Sequence, residues 1–145
     1  MKIEIYTDGA CNQKLKTGGW GFIIVENGII KTKKGGHEKN TTNNQCEMLA
    51  AIKALEEISL NKNEEVVVYS DSAYLVNAFV ENWISKWVEN DWKTSLKEPV
   101  KNKELWERLI VLQKKNQVSF SQIKRRSNEF TKKVDDLANS YKEKN

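Results

Sequence analysis

Hydrophobic and polar positions along the chain switch between the strand period and the helix period. Short apolar or alternating runs predict five strands, at residues 3–7, 18–25, 29–34, 65–70 and 118–123. Apolar residues three and four apart predict helices at 43–58, from 72 onward, at 103–113 and at 129–141. The order is three meandering strands, a helix, a strand, helices, a strand and a last helix, as in α/β proteins.

Glycines mark the turns of the first three strands. Asn27-Gly28 is the hairpin signal between the second and third strands. Glycines at 18, 19 and 21 indicate a bulge or a close backbone approach in the second strand. Gly35-Gly36-His37 is predicted to end the meander, and we interpret His37 as a loop residue without a catalytic role, because an isolated histidine is a weak signal.

The first helix carries a carboxylate on its apolar face. Asn43 or Asn44 can cap its amino end. At 100° per residue, Glu47 shares a face with Ala51, Ala54, Leu55 and Ile58. A buried carboxylate there must be paired, protonated or bound to a cation. The alternative is that Glu47 only caps the helix or complements its dipole.

Other carboxylates can reach the same place. Asp8 and Asp71 each follow a predicted strand, and functional sites of open α/β sheets lie outside the carboxyl ends of the strands. On the last helix, Asp135 lies nearer the apolar stripe than Asp136. Carboxylates gathered in one crevice repel one another unless cations are bound, and hard oxygen ligands select Mg²⁺ or Mn²⁺. Two such ions are the usual apparatus of phosphodiester displacement.

Composition narrows the class of protein. The 145 residues suit one domain, 1–145, with 39% hydrophobic residues. No apolar run approaches the ~20 residues of a membrane span, and the amino terminus enters a strand without a signal peptide, so we expect a cytoplasmic protein with no membrane contact. Two cysteines and one histidine are too few for a disulfide framework, a zinc site or a histidine-based nucleophile system.

Charge favours an anionic partner without requiring one. The net charge is +4, and lysines and arginines cluster around 31–34, 114–115, 124–126 and 132–133. Such clusters suit nucleic acid, but also a solvated basic face. Between 83 and 102, three tryptophans alternate with lysines. This pattern fits stacking and phosphate contact with nucleic acid, weakened by three acidic residues, or tryptophan packing in a helical hairpin.

Four motifs resemble those of one family. They are Tyr6-Thr7-Asp8-Gly9-Ala10-Cys11, the stretch 41–50 (TTNNQCEMLA), Tyr69-Ser70-Asp71-Ser72 and Asp135-Asp136-Leu137-Ala138. In this order they resemble the active-site motifs of type 1 ribonuclease H, and the likeness extends over essentially the whole chain. The resemblance implies a ribonuclease H-like α/β fold, with a five-stranded mixed sheet flanked by helices. It also implies metal-dependent cleavage of the RNA strand of an RNA/DNA hybrid, by a protein that we expect to be a monomer.

The resemblance also implies roles for particular residues. The metal ligands would be Asp8, Glu47, Asp71 and Asp135, with two Mg²⁺ ions per site and Mn²⁺ as a substitute. Cys11, Asn43 and Asn44 would line the minor groove, where the 2′-OH distinguishes RNA from DNA. Thr42 and Asn102 would hold a phosphate of the DNA strand, with Lys14 nearby. Residues 83–102 would form a substrate-binding handle that contacts the DNA strand. Its contacting residues would be Trp83, Lys86, Trp87 and Lys93.

The chain departs from the family in the loop before the last helix. Many members carry a histidine there that is thought to assist proton transfer or product release, whereas this chain has Arg125 or Arg126, depending on the alignment. Arginine cannot shuttle a proton near neutral pH, but it can bind the scissile phosphate. We therefore expect an active enzyme, slower and with a shifted metal preference. The alternatives are a hybrid-binding module that does not cleave and the nuclease portion of a reverse transcriptase or transposase-like protein, which the short free-standing chain disfavours.

Overall fold

A computed structural model describes residues 2–58, 64–115 and 117–143. In these ranges the chain forms five strands and five helices. The strands are β1 (Lys2–Asn12), β2 (Thr17–Glu26), β3 (Ile29–Lys39), β4 (Glu65–Ser70) and β5 (Gln117–Gln122). The helices are α1 (Asn43–Glu57), α2 (Ala73–Val80), α3 (Trp83–Glu89), α4 (Lys103–Lys115) and α5 (Glu129–Tyr141).

The strands form one mixed sheet in the order β3-β2-β1-β4-β5. The meander β1-β2-β3 is antiparallel, and the pairs β1-β4 and β4-β5 are parallel. Parallel neighbours need crossover connections, and α1 supplies the one from the meander to β4. The five-stranded mixed sheet flanked by helices, which the family resemblance implies, is confirmed.

Alternate side chains of the central strands pack against helices on opposite faces of the sheet. Ile5 and Val68 belong to the larger apolar cluster, with α1, α2 and α4. Tyr6 and Ile23 belong to the smaller one, with Val134 of α5. The sheet is thus the middle of three layers, and α1 and α5 lie on either side of β1, the strand that carries Asp8.

Several boundaries differ from the sequence predictions. β1 does not end at Asp8 but continues to Asn12, because antiparallel pairing with β2 goes on to the pair Asn12–Thr17. The parallel pairing of β1 with β4, in contrast, ends at Tyr6 and Tyr69. Asp8 therefore lies just past the last parallel pair, although it is inside a strand.

The predicted cap of α1 is also wrong. Thr42, not Asn43 or Asn44, is the N-cap: its Oγ1 accepts from the Gln45 backbone N–H at 3.2 Å, and Gln45 Oε1 accepts from the Thr42 N–H at 3.2 Å. This reciprocal pair is a capping box. It leaves the side chains of both asparagines exposed at the start of α1.

His37 lies in β3 and not in a loop, since β3 extends to Lys39. Its Nδ1 is 2.7 Å from the carbonyl oxygen of Tyr141, which can only accept, so Nδ1 carries the proton. His37 thereby links β3 to the end of α5. This contact agrees with the interpretation that His37 has no catalytic role.

Two glycines allow helices to approach the strands closely. A Cβ on Gly9 would lie 2.5 Å from the backbone nitrogen of Glu47 and 2.6 Å from the carbonyl carbon of Cys46. A Cβ on Gly19 would collide with the carbonyl oxygen of Ala138. The close approach predicted from the glycines of β2 is therefore present, whereas the bulge lies elsewhere, between Ile24 and Val25.

Candidate active site

The four predicted carboxylates line one cleft of about 240 Å³ beyond the end of the parallel strand pairing. Asp8 comes from β1, Glu47 from the second turn of α1, Asp71 from the residue after β4, and Asp135 from α5. The rest of the lining consists of Gly9, Ala10, Cys11, Asn43, Arg125, Asn139 and Lys142. Residues that are far apart in the sequence are thus brought together by the three layers of the fold.

The turn after β4 fixes Asp71. Ser70 Oγ accepts from the Ser72 backbone N–H at 3.0 Å, and Ser72 Oγ caps α2 by accepting from the Leu75 N–H at 3.2 Å. The Ser70 carbonyl oxygen accepts from the Ile123 N–H at 2.9 Å, which ties the turn to the end of β5. Asp71 is therefore held between a strand and a capped helix.

Three of the carboxylates form a compact group. Asp8, Glu47 and Asp71 each offer an oxygen, and these oxygens all lie within 4.8 Å of one another. Glu47 is 5% exposed, and its Oε1 is buried without a hydrogen-bond partner in the part of the chain that the structure describes. An unpartnered carboxylate oxygen in the interior is costly unless a proton or a cation compensates it.

The electrostatics of the group match this crowding. Burial and the charge of Asp71 raise the pKa of Asp8 from 3.8 to about 7. Burial, followed by the charges of Asp8 and Asp71, raises the pKa of Glu47 well above its usual value. Both shifts mean that the negative charges are unfavourable together, so the group favours protons or a cation.

Asp135 is held differently. Its Oδ2 accepts from Arg126 Nη1 at 2.8 Å, its Oδ1 lies 3.3 Å from Arg125 Nη2, and Asn139 Nδ2 donates to Oδ1 at 3.2 Å. Burial alone would raise the pKa of Asp135, but hydrogen bonds from Arg126 and Asp8 and the charge of Arg125 outweigh it and lower that pKa. Asp135 therefore stays ionised.

The structure separates the two neighbouring aspartates clearly, whereas helical periodicity in the sequence separates them only weakly. The Asp135 side chain is 7% exposed and faces the cleft, whereas the Asp136 side chain is 70% exposed. Arg126 Nη1 bridges them, since it also lies 2.8 Å from Asp136 Oδ1. Of the two, only Asp135 lines the cleft.

The donor set fits a divalent cation. The three grouped ligand atoms are carboxylate oxygens, which Mg²⁺ and Mn²⁺ prefer, and Glu47 offers a buried oxygen that no described residue satisfies. A cation would also relieve the repulsion that raises the pKa values of Asp8 and Glu47. The residues present therefore suit such an ion.

The predicted groove residues surround the cleft in part. Cys11 and Asn43 line it, and Asn44 is exposed beside them on α1. Cys11 Sγ donates to the carbonyl oxygen of Thr41 at 3.6 Å. Lys14 lies exposed in the turn between β1 and β2 and is not part of the cleft lining.

The segment 83–102 consists of α3 and a looped return that pairs Lys93 with Pro99. Its tryptophans pack on one another and on the core: the Trp87 ring lies 6.3 Å from Trp83, 6.2 Å from Trp92 and 5.5 Å from the buried Trp106. Beside them is an open cavity of about 390 Å³. It is lined by Trp83, Lys86, Trp87, Asn90, Lys93, Thr94 and Ser95. The tryptophans thus serve packing, and two of them also border a surface with lysines.

Sequence reasoning missed some residues of the site. Asn139 supports Asp135 from one turn later on α5, a spacing that could have indicated it. Lys142 lies beyond the helix, and only tertiary structure brings it to the cleft. A larger cavity, of about 480 Å³, lies among α2, α3 and α4, but its lining holds no group of carboxylates. Volume alone therefore does not identify the site.

In the described ranges, no helix has the length and hydropathy needed to cross a bilayer.

Comparison with known proteins agrees with the geometry. The family model described as RNase H matches residues 1–142. A protein named Ribonuclease H from Acetivibrio thermocellus is 47% identical over 145 residues, covering 99% of this chain and 97% of the relative. A Ribonuclease H from Caldicellulosiruptor saccharolyticus is 45% identical over 140 residues, covering 96% and 94%. Among solved structures, LC11-RNase H1 in complex with an RNA/DNA hybrid aligns with a TM-score of 0.76 at 26% identity, covering 97% and 96%.

Proposed function

This chain belongs to the ribonuclease H family, and on that premise we propose that it hydrolyses the RNA strand of RNA/DNA hybrids with two divalent cations. The observation that carries the proposal is the group of Asp8, Glu47 and Asp71, whose oxygens lie within 4.8 Å of one another, with Glu47 Oε1 buried and unpartnered among the described residues. Relatives named Ribonuclease H, and the solved structure of LC11-RNase H1 in complex with an RNA/DNA hybrid, support such hybrids as the substrate.

Asp8, Glu47, Asp71 and Asp135 would hold two Mg²⁺ ions, or Mn²⁺ as a substitute. When bound, such ions activate the attacking water and stabilise the leaving oxygen. Before they bind, the proton that the Asp8 carboxyl retains, with its pKa of about 7, must leave. Asp135 needs no such step, because the hydrogen bond from Arg126 and the charge of Arg125 lower its pKa.

Arg125 and Arg126 would have different roles in the loop where many family members carry a histidine. Arg125 lines the cleft together with the carboxylates, and its side chain is 64% exposed, so its guanidinium can reach a scissile phosphate. Arg126 is fixed between Asp135 and Asp136 at 2.8 Å from each. We therefore assign phosphate binding to Arg125, and to Arg126 the ion pair that keeps Asp135 ionised.

The substrate would lie across α1 and the handle. Cys11, Asn43 and Asn44 border the carboxylates and would face the minor groove, where the RNA 2′-OH is recognised. Thr42 and Asn102 would hold a phosphate of the DNA strand, and Lys14 would lie near that phosphate. The handle would contact the DNA strand through Trp83, Lys86, Trp87 and Lys93, around the cavity that these residues line.

A hybrid-binding module that does not cleave is the second candidate. It would be favoured by the loss of an acidic ligand, and all four carboxylates are present in one cleft. We also propose that residues 1–145 form a single domain and that the protein acts as a monomer in the cytoplasm.

The test is cleavage of a labelled RNA/DNA hybrid beside RNA/RNA and DNA/DNA duplexes, with Mg²⁺ or Mn²⁺. We expect hybrid-specific cutting that Asp71→Asn reduces at least about 10³-fold, since it removes a ligand of the reacting centre. Glu107→Gln, an equal charge change at an exposed residue of α4 outside the handle and the cleft, is the matched control and should cut normally. Tight hybrid binding without cutting, with either metal, would favour the non-cleaving module.

A further inference from the structure

One side-chain amide connects the two residues assigned to the DNA phosphate. Gln45 Oε1 accepts from the Thr42 backbone N–H at 3.2 Å and from Thr41 Oγ1 at 3.1 Å. Gln45 Nε2 donates to Asn102 Oδ1 at 3.1 Å. Thr42 caps α1 and Asn102 precedes α4, so Gln45 bridges two separate elements.

The polarity of this chain of hydrogen bonds follows from the backbone. A peptide N–H can only donate, so the atom of Gln45 facing Thr42 must be the oxygen, and the atom facing Asn102 must be the nitrogen. An N–H₂ group cannot accept, so Asn102 must present its Oδ1 to Gln45. The orientation of the Asn102 amide is thereby set by the N-cap of α1, through two successive hydrogen bonds.

The other end of Asn102 is then a donor. Its Nδ2 donates to the hydroxyl oxygen of Tyr74 at 3.1 Å, and the ring of Tyr74 packs 5.2 Å from that of the buried Trp106. Nδ2 carries two protons, and no described residue accepts the second. Asn102 is half-buried with φ of 63°, and Thr42 is exposed, so this proton and the Thr42 hydroxyl can reach one external anion.

We propose that Gln45 is a positioning residue that keeps the Asn102 amide turned with its N–H₂ group toward a phosphate of the DNA strand. Tyr74 holds the plane of that amide but does not set its polarity, because a phenol hydroxyl can accept from Nδ2 or donate to Oδ1. If the amide turned over, Asn102 would present a carbonyl oxygen to the phosphate and repel it. The inference rests on the proposed function, which places the DNA strand here.

The test uses Gln45→Glu, which keeps the size and the acceptor for Thr42 but cannot donate to Asn102 Oδ1. The amide of Asn102 is then expected to turn over. Tyr74→Phe keeps the ring packing and removes only the hydroxyl. Asn102→Asp imitates the turned amide directly. Gln113→Glu, near the far end of α4, is the matched charge control, since the hydrogen bond of its amide to a described residue goes to the Val118 carbonyl oxygen, at 3.4 Å, and not to Asn102.

Binding is measured in an Asp71→Asn background with Mg²⁺, so that the hybrid is not cut. The probes are short hybrids with one block of ribonucleotides to fix the register, each carrying one uncharged methylphosphonate in the DNA strand. With Gln45 intact, we expect one position to weaken binding about tenfold, the usual effect of losing hydrogen bonds to a charged group. Gln45→Glu and Asn102→Asp should bind the unmodified hybrid more weakly and lose less than about twofold at that position. In Tyr74→Phe the loss of affinity at the sensitive phosphate should lie between these two values. Gln113→Glu should retain the full tenfold loss there.

A merely structural role for Gln45 would weaken binding at every probe alike and leave the tenfold loss at the sensitive phosphate. That result, or the absence of a sensitive DNA phosphate with Gln45 intact, would overturn the inference. Both outcomes are distinct from failure of the proposed function, which would appear as absent hybrid cleavage by the unsubstituted chain. The binding measurement does not depend on cleavage.

Discussion

Arg126 Nη1 lies 2.8 Å from Asp135 Oδ2 and 2.8 Å from Asp136 Oδ1, so one guanidinium nitrogen bridges a buried carboxylate and an exposed one. Hydrogen bonds to Asp136 and Asp135 in turn raise the pKa of Arg126. The proposed cation ligand Asp135 thus already has a positive partner. A divalent cation that binds Asp135 must compete with this arginine.

Arg126→Ala is therefore expected to strengthen Mg²⁺ binding to the substrate-free protein, by about two- to fivefold, since exposed ion pairs are weak. The measurement is calorimetric titration with Mg²⁺. Arg125→Ala is the comparison and should change Mg²⁺ binding less, because its contact with Asp135 is longer, 3.3 Å, and its side chain is more exposed. Weaker Mg²⁺ binding in Arg126→Ala would show that the arginine instead holds Asp135 ready for the cation.

Asp8→Asn tests the crowding of carboxylates. A carboxyl whose pKa is about 7 when folded and 3.8 ordinarily holds its proton more tightly in the folded state. Its contribution to stability is present below about pH 4 and is lost as the pH rises through about 7. Without cations, Asp8→Asn should raise the free energy of unfolding by roughly 1–3 kcal/mol at pH 8 and much less at pH 5.

Urea unfolding at both pH values in EDTA measures this difference. Asp91→Asn, at an exposed residue, should leave the free energy of unfolding unchanged within ~0.5 kcal/mol. An equal gain from Asp8→Asn at pH 5 and pH 8 would contradict the electrostatic explanation.

Saturating Mg²⁺ should raise the melting temperature of the unsubstituted protein, since ligands of the folded state stabilise it.

Gly9→Ala should damage the site more than the fold. The added Cβ would lie 2.5 Å from the backbone nitrogen of Glu47. The backbone of β1 then presses on the backbone of α1, and neither can move aside easily. We expect a loss of about 1–3 kcal/mol in unfolding free energy and a fall in kcat of about 100-fold, because small displacements of catalytic groups are costly. Gly28→Asn is the control, because no described atom lies within 4 Å of an added Cβ there and asparagine tolerates the left-handed backbone better than most side chains do. Normal kcat in Gly9→Ala would show that α1 can shift without harm.

Local pattern predicted much of the site, and tertiary contact decided the rest. Glu47 was identifiable because a carboxylate on an apolar helix face is anomalous, and Asp71 because it follows a buried strand directly. The strand end predicted at Asp8 is wrong, since pairing with β2 continues where pairing with β4 stops. The separate positions of Arg125 and Arg126 depend on the loop backbone, in which Arg126 itself has a φ of 51°. Hydrophobic periodicity does not predict such a backbone angle.

Lys86 and Lys93 of the handle provide a prediction on the electrostatics of binding. Both are exposed beside the cavity that Trp83 and Trp87 line. Each phosphate contact contributes about one unit to the slope of log Kd against log salt concentration, so Lys86→Ala with Lys93→Ala should reduce that slope by about 1.5–2. Lys31→Ala with Lys33→Ala removes the same charge from exposed positions of β3, an edge strand of the sheet, and should leave the slope nearly unchanged. Equal reductions from the two pairs would mean that the hybrid responds to net charge and not to the handle.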